Sequence, residues 1–111
     1  MDTSLANKKC RVCELGEGKL GPVEISAFMT HAPGWTVKKN HEIFREFKFK
    51  NFAESLAFIN KIGAVAESEG HHPDISFGWG YARVTLFTHA VGGLSENDFI
   101  MAAKIDELTT K

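Results

Sequence analysis

Two adjacent histidines, His71 and His72, stand between a pair of carboxylates and a proline in the stretch AESEGHHPDISFGWG, residues 66–80. Imidazole titrates ordinarily near neutrality, so histidines in acidic company point first to proton transfer. Glu67 and His71 are four residues apart, a spacing that places them on one side of a helix end. A carboxylate neighbour and a helix C-terminus both favour a protonated ring, which suits a proton donor. Glu69 lies in the same last turn and reads as a solvated charge at a fraying end. His72 precedes Pro73 and is biased to extended backbone. Successive side chains there point opposite ways, so His71 and His72 are poorly placed to share one metal. Separate tasks, one a proton transfer and one a substrate contact, fit better. A metal site from His71, His72, His89 and Asp74 stays open as the lesser reading. His89 closes the strand ARVTLFTH, residues 82–89. His31 and His41 lack such company and read as structural or exposed.

The elements that must position these rings follow from periodicity and caps. Residues 1–20 read as an N-terminal arm without regular structure. They include Cys10 and Cys13, a lone C-x-x-C that lacks the second pair a structural zinc site needs. A single domain, residues 21–111, follows. Pro22 and Glu24 open a first helix that ends at Pro33-Gly34. WTVKKNHEIFREFKFK forms a hairpin about Asn40-His41. Ile43, Arg45, Phe47 and Phe49 take one face of its second strand. Asn51 caps a long helix with Glu54 as reciprocal partner, and Gly70 ends it. Its apolar stripe is predicted as Phe52, Leu56, Ile59, Gly63 and Ala66, broadened by Ile62. A second hairpin runs from Ile75 to His89 with its turn near Gly80. Ser95 and Asp98 then box the start of a last helix, with Leu94 stapled to Phe99. Helix, two strands, helix, two strands, helix makes an α+β sandwich.

Composition narrows the function classes. The chain has 111 residues and a formal charge of −1, with no basic tail to bind nucleic acid or an anionic membrane. No apolar run reaches membrane-spanning length, and MDTSLANKKC lacks the apolar core of a signal peptide, so a cytoplasmic protein is expected.

The whole spaced set is specific where a lone His-His-Pro would be weak. Glu67, His71-His72-Pro73, Trp79, His89 and Asp98 resemble the pattern of the pterin-4a-carbinolamine dehydratase family at every spacing. GWTVKKNHEIFREFKFKNF and THAVGGLSENDF are similar to that family's first hairpin and final helix entry. The resemblance implies a four-stranded antiparallel sheet with three helices on one face, and homodimers or homotetramers joined by sheet edges and helices. It implies dehydration of 4a-hydroxytetrahydrobiopterin to quinonoid dihydropterin, which recycles the pterin of aromatic amino-acid hydroxylases without a metal or organic cofactor. By position, His71 and His89 become the acid–base pair, His72 chiefly a substrate contact, and Glu67 the group that orients His71. Thr88 joins the three histidines as a pterin contact. Trp35 matches a tryptophan beside the pocket, where it would wall the pterin ring, although a tryptophan opening a strand is more often core. Gly70, Val91 and Phe87 depart from the pattern, with Phe87 replacing a small polar residue. The alternative is a non-catalytic pterin-binding or transcription-factor dimerisation adaptor on the same fold.

Overall fold

Each helix begins on residues chemically suited to start one. In the computed structural model, which describes residues 5–8, 10 and 18–109, helix α1 spans Pro22–Met29 and α2 Phe52–Glu69. Helix α3 spans Glu96–Leu108. Glu24 Oε1 accepts from the Gly21 N–H at 2.8 Å, and Asn51 Oδ1 accepts from the Glu54 N–H at 2.9 Å. Glu54 closes onto the Lys50 N–H instead of the expected Asn51 N–H. Gly70 ends α2 in the left-handed region at φ 65°, where a side chain would be strained. Ser95 and Asp98 form the expected reciprocal box at the start of α3.

Strands β1 (Thr36–Lys38), β2 (Glu42–Lys48), β3 (Asp74–Gly78) and β4 (Tyr81–Leu86) form one antiparallel sheet in the order β1-β2-β4-β3. Ile43 pairs with Leu86 and Phe47 with Ala82, so the inward positions of the central strands coincide. Ile43, Phe47, Ala82, Val84 and Leu86 all face the core. The helices pack on this face, with α2 lying against β3 and β4 and α3 against β4. α1 joins through Phe28, whose ring stacks on Phe99 at 5.1 Å. On the other face Arg83 lies over the Phe44 ring at 4.4 Å. The α+β architecture is the one read from the sequence.

Three local expectations are corrected. The buried side of α2 is Ser55, Phe58, Ile62 and Ala66, while Phe52 and Leu56 are exposed. Two apolar stripes adjoin on this helix, and aromatic packing selects between them. Phe58 closes on Phe47 at 4.8 Å and on Phe49 at 5.1 Å. The second correction concerns β4, which stops at Leu86. Beyond it, Thr88 bridges to Gly93 around a 3₁₀ turn over His89–Val91, closed by left-handed Gly92. Third, the described part of the N-terminal arm is docked. Leu5 lies in the core, Lys104 donates to the Ala6 carbonyl at 2.6 Å, and the Leu20 N–H donates to Leu94 at 2.8 Å. Cys13 falls outside the described residues. No described helix is long and apolar enough to cross a membrane.

Candidate active site

The end of α2 determines where the histidines go. The helix stops at Glu69, and the left-handed turn at Gly70 swings the chain away from its axis. His71 therefore does not continue the helical face that carries Glu67. It turns inward, and its Nε2 lies 2.7 Å from Asp98 Oδ1. His71 is 12% exposed and Asp98 0%. His72 turns back instead, and its Nε2 reaches Glu67 Oε2. That second pair is solvated, at 60% and 79% exposure. The expected Glu67–His71 pairing is thus corrected. The carboxylate on His71 is Asp98, singled out in the sequence as a helix cap and as a member of the spaced set but not as this ring's partner, and Glu67 holds His72.

Asp98 is the hub of a directed network. Its Oδ2 accepts from the Ser95 N–H at 2.9 Å and from the Thr88 hydroxyl at 2.8 Å. Thr88 Oγ1 also lies 2.8 Å from Ser95 Oγ. A threonine hydroxyl has one proton. That proton is spent on Asp98, so Ser95 donates to Thr88. With Asp98 acting as an acceptor, the proton shared with His71 belongs to Nε2, which leaves Nδ1 as the ring atom available for exchange.

His71, His72, Thr88 and His89 meet in one cleft of about 430 Å³, which Gly70, Pro73, Asp74, Phe87, Ala90 and Asn97 complete. Rings from two distant chain segments are therefore brought together, the first two by the α2–β3 connection and the third by the 3₁₀ turn. Asn97, in the first turn of α3, went unnoticed in the sequence. Its only signal was adjacency to Asp98. Glu67 stands at the rim through its bond to His72. Trp79 is exposed at the β3–β4 turn.

Trp35 is in the core, not beside the cleft. It is buried, and its Nε1–H donates to both oxygens of Asp106, at 3.0 and 3.1 Å. Arg45 donates to the same carboxylate at 2.7 Å. Burial pushes the Asp106 carboxyl up, and the Trp35 and Arg45 donors pull against it. The indole also meets Phe47 edge to face. A ring held on both its polar and apolar sides is a structural post.

Glu69 corrects a further expectation. Its side chain is only 5% exposed, 3.9 Å from the Lys104 ammonium, and it accepts from the Cys10 N–H at 2.8 Å. Cys10 itself, half-buried, has its thiol pushed up to about 12, first by burial and then by Glu69. It is a protonated thiol at neutral pH and so a poor nucleophile. Among the described residues, no group of three His, Cys, Asp or Glu side chains is arranged to hold a metal ion.

An open sheet under three helices, with imidazoles gathered in a cleft where a strand end meets a helix end, defines the α+β domain. Residues 18–108 match the sequence profile described as pterin 4 alpha carbinolamine dehydratase, and the chain belongs to that family. A Rubrobacter xylanophilus protein, provisionally named pterin-4-alpha-carbinolamine dehydratase, is 46% identical over 106 residues, covering 96% of this chain and 99% of its own. An Alkaliphilus metalliredigens protein with the same provisional name is 50% identical over 105 residues, covering 94% and 95%. Among solved structures, a transcriptional coactivator/pterin dehydratase from Brucella melitensis is similar at a TM-score of 0.76 and 32% identity, covering 81% of this chain and 97% of that one. A pterin dehydratase-like protein described as a RuBisCO assembly factor in the alpha-carboxysome is similar at 0.58 and 32%, covering 70% and 92%.

Proposed function

We propose that this chain removes water from 4a-hydroxytetrahydrobiopterin to give quinonoid dihydropterin, returning the pterin of an aromatic amino-acid hydroxylase to use. The C4a–O bond breaks, its electron pair leaves with oxygen, and a delivered proton completes water. The N5–H bond breaks, and its pair becomes the C4a=N5 double bond. One proton is supplied and one removed, with no change of oxidation state, so the reaction asks for two proton-transfer groups and no cofactor. The observation that carries this reading is the convergence of His71, His72 and His89 on one cleft, with His71 fixed by a buried carboxylate.

His71 exchanges its proton through Nδ1, because Nε2 is committed to Asp98. His89 is the second transfer group. His72, solvated and steadied by Glu67, contacts the substrate. Thr88 borders the pterin, but its hydroxyl proton serves Asp98.

The test generates the carbinolamine with a hydroxylase and follows quinonoid dihydropterin. His71→Ala and His89→Ala each lose about 10²- to 10⁴-fold in rate, the range for one acid–base group. His72→Ala raises KM more than it lowers kcat. Full activity in all three variants overturns the reading.

A second reading, a pterin-binding or transcription-factor dimerisation adaptor, draws on exposed Phe52 and Leu56 of α2 and on the coactivator and assembly roles by which the two structural neighbours are described. It predicts pterin or partner binding without turnover. In both readings the same apolar face and the sheet edges β1 and β3 support a homodimer or homotetramer, measurable by light scattering.

A further inference from the structure

His71 is held by Asp98 and His72 by Glu67. His89 is exposed, and among the described residues no side-chain hydrogen bond or ion pair fixes its ring. Phe87 touches it instead. The two ring centroids are 4.3 Å apart with planes inclined at 59°. A second imidazole, that of His41, lies 5.5 Å from Phe87 at 31°. The sheet register explains this grouping. Ile43 pairs with Leu86, so the next step along β4's path brings Phe87 level with the end of β2 and the turn before it. Leu86 points into the core, which directs Phe87 to the opposite face, where His41 waits. His41 is placed by the β1–β2 turn, in which Lys39 and Asn40 both have positive φ and the His41 N–H donates to the Lys38 carbonyl at 2.9 Å.

We infer that Phe87 is a positioning residue for His89: its ring is the platform that holds the imidazole over the cleft, and His41 steadies that platform from the first hairpin. The inference rests on the proton-transfer role given to His89 above. The choice of an aromatic partner has a chemical logic. An imidazole inclined to a benzene ring meets its negative face through ring C–H edges when neutral and through its charge when protonated. The contact therefore persists on both sides of a proton transfer. A carboxylate partner would favour one side strongly.

Two readouts test this. With ring-labelled histidine, NMR reports the His89 ring protons, which the Phe87 ring current displaces in the wild type. Phe87→Leu should return them toward free-histidine values. The same variant should lower kcat by about 10- to 10²-fold, the scale of a misplaced reacting group, with KM within about threefold. Phe87→Trp should restore both signals. His41→Leu should give a smaller loss that disappears in the Phe87→Leu background, since residues in one contact chain are not additive. Unmoved His89 resonances in Phe87→Leu overturn the platform. Moved resonances with full kcat overturn its importance for turnover. If the wild type itself fails to dehydrate the carbinolamine, the functional reading falls, and the resonances alone still decide whether Phe87 holds His89.

Discussion

Replacing Asp98 by asparagine changes almost no volume and inverts one hydrogen bond. Three donors converge on the carboxylate: His71 Nε2 at 2.7 Å, the Thr88 hydroxyl at 2.8 Å and the Ser95 N–H at 2.9 Å. Asparagine offers one oxygen and one NH₂. If the oxygen takes the Oδ1 place, the NH₂ confronts the Ser95 N–H, a donor that cannot turn, and that bond fails. If it takes the Oδ2 place, Thr88 and Ser95 keep their acceptor and only the His71 contact inverts. The second orientation wins. His71 must then accept at Nε2, its proton moves to Nδ1, and the atom facing substrate chemistry becomes a donor. Its protonated form also loses its counter-charge. Exchanging a bond to an ionised acceptor for a neutral one costs about 1–1.5 kcal/mol of stability. For turnover, kcat should fall about 10²- to 10⁴-fold, equivalent to roughly 2.7–5.4 kcal/mol of barrier. Carbinolamine turnover measures the rate, and ¹⁵N NMR of His71 reports which nitrogen carries the proton. A folded Asp98→Asn protein with kcat within about threefold of wild type, or with the proton still on Nε2, excludes Asp98 as the group that sets the His71 tautomer.

Other expectations concern the scaffold. Trp35→Phe removes the donor to Asp106 and should cost about 1.5–3 kcal/mol in chemical denaturation, while kcat and KM stay unchanged. A large KM increase would return Trp35 to the pocket. Phe58→Ala should cost about 3–5 kcal/mol, as for a buried aromatic, and Phe52→Ala distinctly less. Equal losses would contradict the assigned face of α2. Folding raises the Cys10 thiol from 9.0 to about 12, so the folded state keeps a proton that the unfolded chain has released. This contribution is fully present below pH 9.0 and is lost as pH rises through about 12. Stability curves of wild type and Cys10→Ala should therefore converge across that interval, and parallel curves would show the thiol to be solvated.

The element order was legible because the chain marks its boundaries: Asn51 and Ser95 as caps, Gly70 as a terminator, and alternation in β2. The face of α2 was not, since two neighbouring stripes satisfy helical spacing and only contact with Phe47 chooses Phe58 over Leu56. That His71, His72 and His89 belong together was readable from their spacing, and they share a cleft, but their partners were not readable. The four-residue rule joins Glu67 to His71 only if the helix continues, and Gly70 breaks it one residue before. Asp98 could be read as a cap from local sequence, while its bond to His71 spans 27 positions, beyond any local rule. Glu69 looked solvated because the arm that covers it carries no periodic signal.

That arm has a consequence for synthesis. Lys104 and Ala6 are separated by 98 positions, and Cys10 and Glu69 by 59. Ala6 and Cys10 cannot find their seat until α3 has been made and docked. Late closure of so long a loop adds little to its entropic cost but delays completion. The growing chain thus passes through a stage with Leu5, Ala6 and Cys10 untethered and the α2–α3 seam uncovered, a window in which chaperones or proteases meet a surface the finished molecule conceals.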